Sequence, residues 1–542
     1  LTRPDVTVVV AVYNTMPYLT DCLNSLVKQS IGPDRLEIVA VDDGSTDDSG
    51  RELDRFAERY PGLVKVIHQA NSGGPAAPSN RALEVATGRY VYFVGSDDYL
   101  GRQALERMVK YADEHGSDIV MGKMVGTNGR YVHQALFKEN APDVSLYDSA
   151  LPFSLANTKL FRRDFVEEHK LRFPEDMPVG SDQPFTIEAC VRARRISVLA
   201  DYTCYYAVKR GDSSNITYRS GHLSRLRCTA RMMEHAAKLI EAGPKRDWVL
   251  RRHFTWELAK LVQDDFPSLD HDTRVEVCAG IAELADAYFT DALRDSMDVR
   301  RRVRIALAQR GAVDLLVRAI QDEAERGAPP LLLEDGRAYV RYPGFRDPAL
   351  GLPDRLFEVI GEAVPGQLAG GTGLVSAAWE QDGDDMAVSL AVRLPVTGET
   401  GSATLRLAGR PMPRSADRPG GRRVPAGTEL PPLVGESDQE EAADGTGTVL
   451  RARIPLRPVR ARLDVRAYLD VAGSTYEIPV KTRGVPLPLA RRWREKVPYR
   501  VSATADAAGR LVVTTAPLWG PPPGAGLRLR RVLSRVKRKL TR

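Results

Sequence analysis

Val91-Tyr92-Phe93-Val94-Gly95-Ser96-Asp97-Asp98-Tyr99-Leu100 sets four apolar or aromatic residues directly ahead of two adjacent carboxylates. The run reads as a buried strand whose C-terminal end opens onto a crevice, where open α/β sheets place their ligands. Two carboxylates side by side repel each other, so a pair held at a strand end points to a cation between them and a phosphate. Taken alone, Asp-Asp in a turn is more often simply solvated. The order of elements around it reverses that weighting.

Upstream, residues 6–12 (VTVVVAV) are a β-branched run ending at Tyr13-Asn14, followed by an amphipathic helical pattern from Met16 to Gln29. A second apolar run, Leu36 to Val41, ends in Asp42-Asp43-Gly44-Ser45-Thr46-Asp47. A third, Val64 to His68, leads into Asn71-Ser72-Gly73-Gly74-Pro75. A helix over Asn80 to Ala86 precedes the fourth strand, Tyr90 to Val94. Strand and helix alternating at this spacing predict a doubly wound, mostly parallel sheet with its polar residues gathered after the strands. Downstream, residues 220–328 are helical in period, with Leu223, Leu226, Met232, Met233, Leu239 and Ile240 on one face, and Pro329-Pro330 closes that block. Beyond it the period becomes two. Short strands at Arg337–Arg341, Ala387–Leu394, Thr404–Leu407, Val449–Ile454 and Leu463–Leu469 predict an antiparallel β-sandwich. The polar, Pro/Gly-rich stretch from Pro411 to Thr448 reads as a mobile loop.

The 542 residues are too many for one core. The expected domains are 1–219 (α/β), 220–329 (helical linker), 330–520 (β-sandwich) and 521–542 (basic tail). With 43% hydrophobic and 27% charged residues the composition is globular. No run approaches the ~18 apolar residues of a spanning helix. Leu1 to Tyr13 lacks a basic leader and cleavage site, so no secretory signal is expected. Five scattered cysteines without metal spacing favour reduced thiols in a cytoplasmic setting. The formal charge of +6 is uneven: Leu527 to Arg542 holds eight Arg or Lys and no acid, leaving −2 on the rest. That argues against a general nucleic-acid surface. The eight histidines form no metal set; His68 reads as a strand end and His253, near Trp256, as packed in a helix.

VVVAVYN, VAVDDGSTD, QANSGGP and YVYFVGSDDY, in that order, resemble the nucleotide-binding half of inverting family 2 glycosyltransferases of the GT-A fold. Within them the chain is similar to the wall teichoic acid enzymes that place N-acetylglucosamine on poly(ribitol phosphate). The stretches that carry this are SNRALEVATGRYVYFVGSDDY, KMVGTNGR, FKENAPDVSL, NTKLFRR, RFPEDMPVGSDQPF and YYAVKRGDSS. The likeness is dense over roughly residues 5–215 and only architectural beyond.

The resemblance implies a UDP-sugar site. Asp43, rather than its neighbour Asp42, would accept from the uracil N3–H, with Ala11, Tyr13 and Asn71 completing the uridine pocket. On its own DDGSTD reads equally as a helix-capping turn. Asp97 would meet the ribose or the cation's water shell, and Asp98 would bind Mn²⁺ or Mg²⁺ directly. Relatives often carry an acid where Gly95 stands. Asp182, in Gly180-Ser181-Asp182-Gln183, matches the base that takes the acceptor's proton, where relatives often carry an acid at the place of Ser181. A lone Asp ahead of Pro184 otherwise reads as a helix cap. Arg210, in Lys209-Arg210-Gly211-Asp212-Ser213-Ser214, would meet the pyrophosphate; the plain alternative is a basic surface loop.

In the tail, Leu529, Leu533, Val536 and Leu540 fall at helical spacings beneath a basic face. That is the pattern of a helix on an anionic bilayer, each basic group adding on the order of 1 kcal/mol. A disordered tail or nucleic-acid arm is the alternative. The implied protein is a metal-dependent inverting transferase that moves a sugar, N-acetylglucosamine by likeness, from a UDP-sugar to a hydroxyl of an anionic wall polymer. It would sit peripherally on the inner leaflet and associate with itself, as a trimer by likeness. A glucosyl- or galactosyltransferase for a capsular polymer, and a non-catalytic polymer-binding scaffold, are the rivals.

Overall fold

Strand β1 (Val6–Val12) lies between β2 (Leu36–Asp42) and β4 (Tyr90–Gly95), parallel to both, and β3 (Val64–His68) extends the sheet beyond β2. Continuous β-branched runs suit this place, because central strands of a parallel sheet are covered on both faces. The computed structural model describes residues 3–211, 221–359 and 363–518. The last range has breaks at 383–384, 399–402, 410–421, 426–436, 443–446, 457–460, 472–473 and 495–496.

The order of the whole sheet is β3-β2-β1-β4-β7-β6-β8-β5, with β5 (Tyr99–Leu100), β6 (Ile119–Thr127), β7 (Leu160–Arg162) and β8 (Ile196–Val208). The three-residue β7 is antiparallel to β4 and β6, while β6 and β8 are parallel. Helices α1 (Tyr18–Val27), α2 (Ser49–Arg59), α3 (Ala76–Val85), α4 (Ala104–His115), α5 (Arg163–Glu168) and α6 (Asp182–Arg192) separate them. The mostly parallel α/β sheet is therefore the one expected. All five cysteines are free and buried.

The two sides of β4 do different work. Tyr92 and Val94 join the large core that includes α1 and α4. Phe93, on the opposite side, meets Phe161, Phe173 and Phe185 edge-on, with ring centroids 6.0, 5.1 and 5.7 Å away. Phe173 stacks on Phe185 at 4.2 Å. Phe185 belongs to the first turn of α6, so this cluster fixes the start of that helix against the strand that ends in Asp97-Asp98.

The chain divides into two units: Leu1–Met297 with Leu307–Val313, and Asp298–Ala306 with Asp314–Arg542. In the first, the sheet is followed by helices at His222–Leu239, Pro244–Arg252 and His271–Tyr288, with a π-helical turn at His253–Leu258. The second carries a helix at Val313–Arg326 and then sheets. Leu331–Glu334 pairs antiparallel with Arg337–Val340 and parallel with Val396–Gly398. Strands 373–382, 385–394, 448–456 and 437–441 form one antiparallel sheet, and a second antiparallel sheet gathers the strands from 461 to 517 with 403–409 and 422–423. The stretch from Pro411 to Thr448, expected as a loop, thus contributes short strands at Arg422–Arg423 and Ser437–Glu441. The amphipathic tail lies outside the described residues. Among the described residues, no helix is long and apolar enough to cross a membrane.

Emptying the space at the centre of the aromatic cluster should cost about 3–5 kcal/mol. Phe93→Ala is expected to lower the calorimetric unfolding temperature of the first unit. Val275→Ala, at an exposed helix position, should change stability by less than about 0.5 kcal/mol. Equal effects from the two substitutions would contradict the account.

Candidate functional site

A cleft of about 490 Å³ opens at the C-terminal ends of β1, β2 and β4. Each of the eight residues singled out from the sequence lines it: Ala11, Tyr13, Asp43 and Asn71 on one side, Asp97, Asp98, Asp182 and Arg210 on the other.

Ala11 is the last β1 residue paired to both neighbours, opposite Val41 and Gly95. Tyr13 follows at the rim, half exposed. Asn14 then takes a left-handed conformation (φ 48°), and its side-chain oxygen accepts from the amides of Thr46 and Asp47. The loops after β1 and β2 are thereby tied together. Asp43 is buried, and its carboxylate accepts from Gln69 Nε2 (2.7 Å), Ser72 N (3.1 Å) and Ser72 Oγ (2.9 Å). A carboxylate offers about four acceptor sites, so three donors leave one for a ligand N–H. Asn71 Nδ2 donates to the Asp43 carbonyl at 3.0 Å. Gly44 (φ +73°) passes so close to this loop that a Cβ would meet Asn71 N at 2.7 Å. Asp42 does not line the cleft. It accepts from Ser45 N and pairs with His68 Nδ1 at 2.9 Å. Burial pushes the Asp42 carboxyl up, but the hydrogen bonds from Ser45 and His68 outweigh it and hold it below the usual range.

Asp98 is 6% exposed. Its Oδ2 accepts from the Tyr205 hydroxyl at 2.6 Å and its Oδ1 from Val208 N at 2.7 Å, with Arg130 Nη1 3.6 Å away. Burial first, and then the neighbouring Asp97, push its pKa up to about 6. Asp97 accepts from Arg210 Nε at 2.7 Å, and the Arg210 guanidinium lies over the Tyr18 ring. Among the described residues there is no cluster of three His, Cys, Asp or Glu suited to a metal. The donors here are hard carboxylate oxygens. They suit a hard divalent cation that takes its remaining ligands from a diphosphate and water.

Asp182 stands at the start of α6, and the turn before it needs Gly180 (φ +73°), where a Cβ would run into Met232 Cε at 2.2 Å. Ser181 holds the N-cap place and makes no side-chain cap bond. Among the described residues no other side chain hydrogen-bonds the Asp182 carboxylate, and the backbone bond it does make is to its own N–H. Burial raises its pKa above the ordinary carboxylate range, while the charges of Arg252 and Lys159 pull the other way. Lys159 is itself fully buried and donates to the carbonyls of Ser154 (2.7 Å) and Ala156, in the loop that lines the cleft. Burial draws its pKa down to about 8. Arg252 Nη1 donates to Gln183 Oε1 and Glu257 Oε1, both at 2.6 Å.

Arg130, Tyr205, Lys159 and Arg252 were not assigned from the sequence. The first three lie in segments that carried the family likeness (KMVGTNGR, YYAVKRG, NTKLFRR), but nothing local marks them as site residues. Arg252 belongs to a helix that pattern alone reads as packing.

Residues 7–174 match the model described as glycosyl transferase family 2, and residues 228–320 that described as the glycosyl transferase TarS linker domain. Over 214 residues the chain is 43% identical to the poly(ribitol-phosphate) beta-glucosyltransferase of Bacillus spizizenii, covering 39% of this chain and 34% of that one. Over 214 residues it is 41% identical to the poly(ribitol-phosphate) beta-N-acetylglucosaminyltransferase TarS of Staphylococcus aureus, covering 39% and 37%. The matched segment thus spans about a third of these relatives' length. A crystal structure of S. aureus TarS 1–349 in complex with UDP-GlcNAc superposes with a TM-score of 0.56 at 29% identity, covering 66% of this chain and all of that one. Another S. aureus TarS structure covers 95% of this chain and 86% of its own at a TM-score of 0.58 and 23% identity, a likeness of fold. Residues 7–174 thus carry the match to glycosyl transferase family 2, and the chain is similar over this region to the poly(ribitol-phosphate) glycosyltransferases.

Proposed function

We propose that the protein transfers a sugar from a UDP-sugar to a hydroxyl of a teichoic acid-like polyol phosphate polymer, with inversion at the anomeric carbon. The observation that carries this reading is a single cleft lined both by Asp182, whose carboxylate no other side chain among the described residues bonds, and by the buried Asp98. Asp43 and Asn71 close the uracil end, with Tyr13 against the ring. Asp182 takes the proton of the attacking hydroxyl as the new C1–O bond forms and the bond to the diphosphate breaks. An elevated pKa suits it to that role. Arg210 supplies positive charge where the leaving diphosphate gathers negative charge. When bound at Asp98, Mn²⁺ or Mg²⁺ adds its charge against the same group.

The sugar in this reading is N-acetylglucosamine, on the strength of the TarS likeness. Glucose is the second reading, favoured by the 43% identity to a beta-glucosyltransferase. In the same proposal the basic tail holds the protein to an anionic inner leaflet and the C-terminal sheets mediate self-association or polymer capture. The domain limits at 219, 329 and 520 belong to it as well.

UDP release measured with UDP-GlcNAc and UDP-glucose, with Mn²⁺ and with or without poly(ribitol phosphate), tests the reading directly. Polymer-dependent release with the first donor is expected; release with neither donor leaves only a binding protein. Asp182→Ala should reduce transfer by about 10²–10⁴-fold while calorimetric affinity for the UDP-sugar persists. Loss of donor binding in that variant would remove the base assignment. Because the base works only when ionised and burial raises its pKa, kcat/KM should fall towards acid with an apparent pKa above the 3.8 usual for aspartate. A profile flat down to that value contradicts the role.

A further inference from the structure

We propose that Tyr205 is the positioning residue that fixes the Asp98 carboxylate for its cation, so that the end of β8 holds the cation site and the Arg210 segment in one frame. The inference rests on the reading of Asp98 as the cation ligand. Tyr205 is 1% exposed. Its hydroxyl oxygen accepts from Gly95 N at 3.1 Å, which leaves the one phenol proton for Asp98 Oδ2 at 2.6 Å. Three residues on, Val208 N holds the other oxygen, Oδ1, at 2.7 Å. Two residues further, Arg210 Nε meets Asp97 Oδ2 at 2.7 Å. One strand end therefore grips both carboxylates of the pair.

Two features of the backbone make this possible. The register of β6 against β8 slips between Gly122 and Met124, and Met124 then pairs with Tyr205. Irregularities of this kind re-aim the side chains that follow, and here Tyr205 turns into the core beside β4 while Tyr206 stacks on Tyr99. At Gly95 there is no side chain to obstruct the meeting. A Cβ there would sit 2.9 Å from Asp98 Oδ2 and 3.2 Å from the Tyr205 hydroxyl. The absence of an acid before Ser96 and the presence of a phenol on Asp98 are thus parts of one arrangement. Tyr205 and Val208 take two of the roughly four acceptor sites of the carboxylate, leaving two for a hard cation. Removing such an outer partner commonly costs a metal site about 10–100-fold in affinity.

The test uses the full chain with UDP, reading free Mn²⁺ by its paramagnetic resonance signal. Tyr205→Phe removes only the hydroxyl and should raise the Mn²⁺ dissociation constant about 10–100-fold. The Mn²⁺ concentration for half-maximal transfer should rise with it, while KM for the UDP-sugar at saturating Mn²⁺ returns to within about threefold of the unsubstituted value. Gly95→Ala crowds the same contact without deleting a polar group. It should weaken Mn²⁺ binding too, and it decides the matter if Tyr205→Phe fails to fold. Asp98→Asn separates the two layers of the argument. If it abolishes Mn²⁺ binding while the other two variants bind as tightly as the parent, the role of Tyr205 is overturned and the cation site stands. If Asp98→Asn itself binds Mn²⁺ unchanged, the cation reading of Asp98 falls, and this inference with it.

Discussion

Four buried rings hold the two halves of the cleft to each other. Phe93 stands four residues ahead of Asp97 in β4, and Phe185 stands three residues after Asp182 in α6. Phe161 in β7 and Phe173 close the cluster between them. Edge-to-face and offset contacts of this kind add about 0.5–1.5 kcal/mol each beyond their area burial. Their consequence here is geometric. Asp182 and the Asp97-Asp98 pair are over eighty residues apart in the chain, and close packing around the rings leaves little slack between the elements that carry them.

The charges of the cleft are arranged around that frame in two separate groups. Asp97 and Asp98 are met by Arg210, Arg130, a phenol and a backbone amide, all from β8 or from the segments beside it. Asp182 has the charges of Lys159 and Arg252 near it, but among the described residues no other side chain is hydrogen-bonded to it. The difference decides what each acid is suited for. A carboxylate gripped on both oxygens is oriented, as a cation ligand must be. An ungripped carboxylate raised by burial is able to accept a proton from an incoming hydroxyl.

This division was only partly legible in the sequence. The apolar runs that end in acidic residues announced the parallel strands and the cleft, because a strand covered on both faces must be apolar along its whole length. The preference for Asp43 over Asp42 came from family likeness; of the two, Asp43 lines the cleft, whereas Asp42 pairs with His68 and does not line it. The partners of Asp98 and Asp182 gave no local signal, since Tyr205 lies 107 residues from Asp98 and Arg252 lies 70 from Asp182. In the C-terminal half, period two announced five strands, and Ser474–Pro479, Val497–Ala505 and Leu511–Pro517 were not among them although each carries buried residues. It also missed Ser437–Glu441, which among the described residues pairs only with Thr448–Leu456. An edge strand of Ser, Asp, Gln and Glu has no apolar face to alternate.

The helical block enters the site through a departure from regular helix. Arg252 and Glu257 are five residues apart, and on an α-helix of 3.6 residues per turn such positions point about 140° away from each other. Here the six residues His253–Leu258 form a π-helical turn, whose i→i+5 bonding brings residues five apart towards one face. The guanidinium of Arg252 can then bond Glu257 and Gln183 together, the latter being the residue that follows Asp182. Within the same turn His253 is wholly buried and its pKa is drawn down to about 4, chiefly by burial. The link ties this block to the first turn of α6, the turn that begins with Asp182.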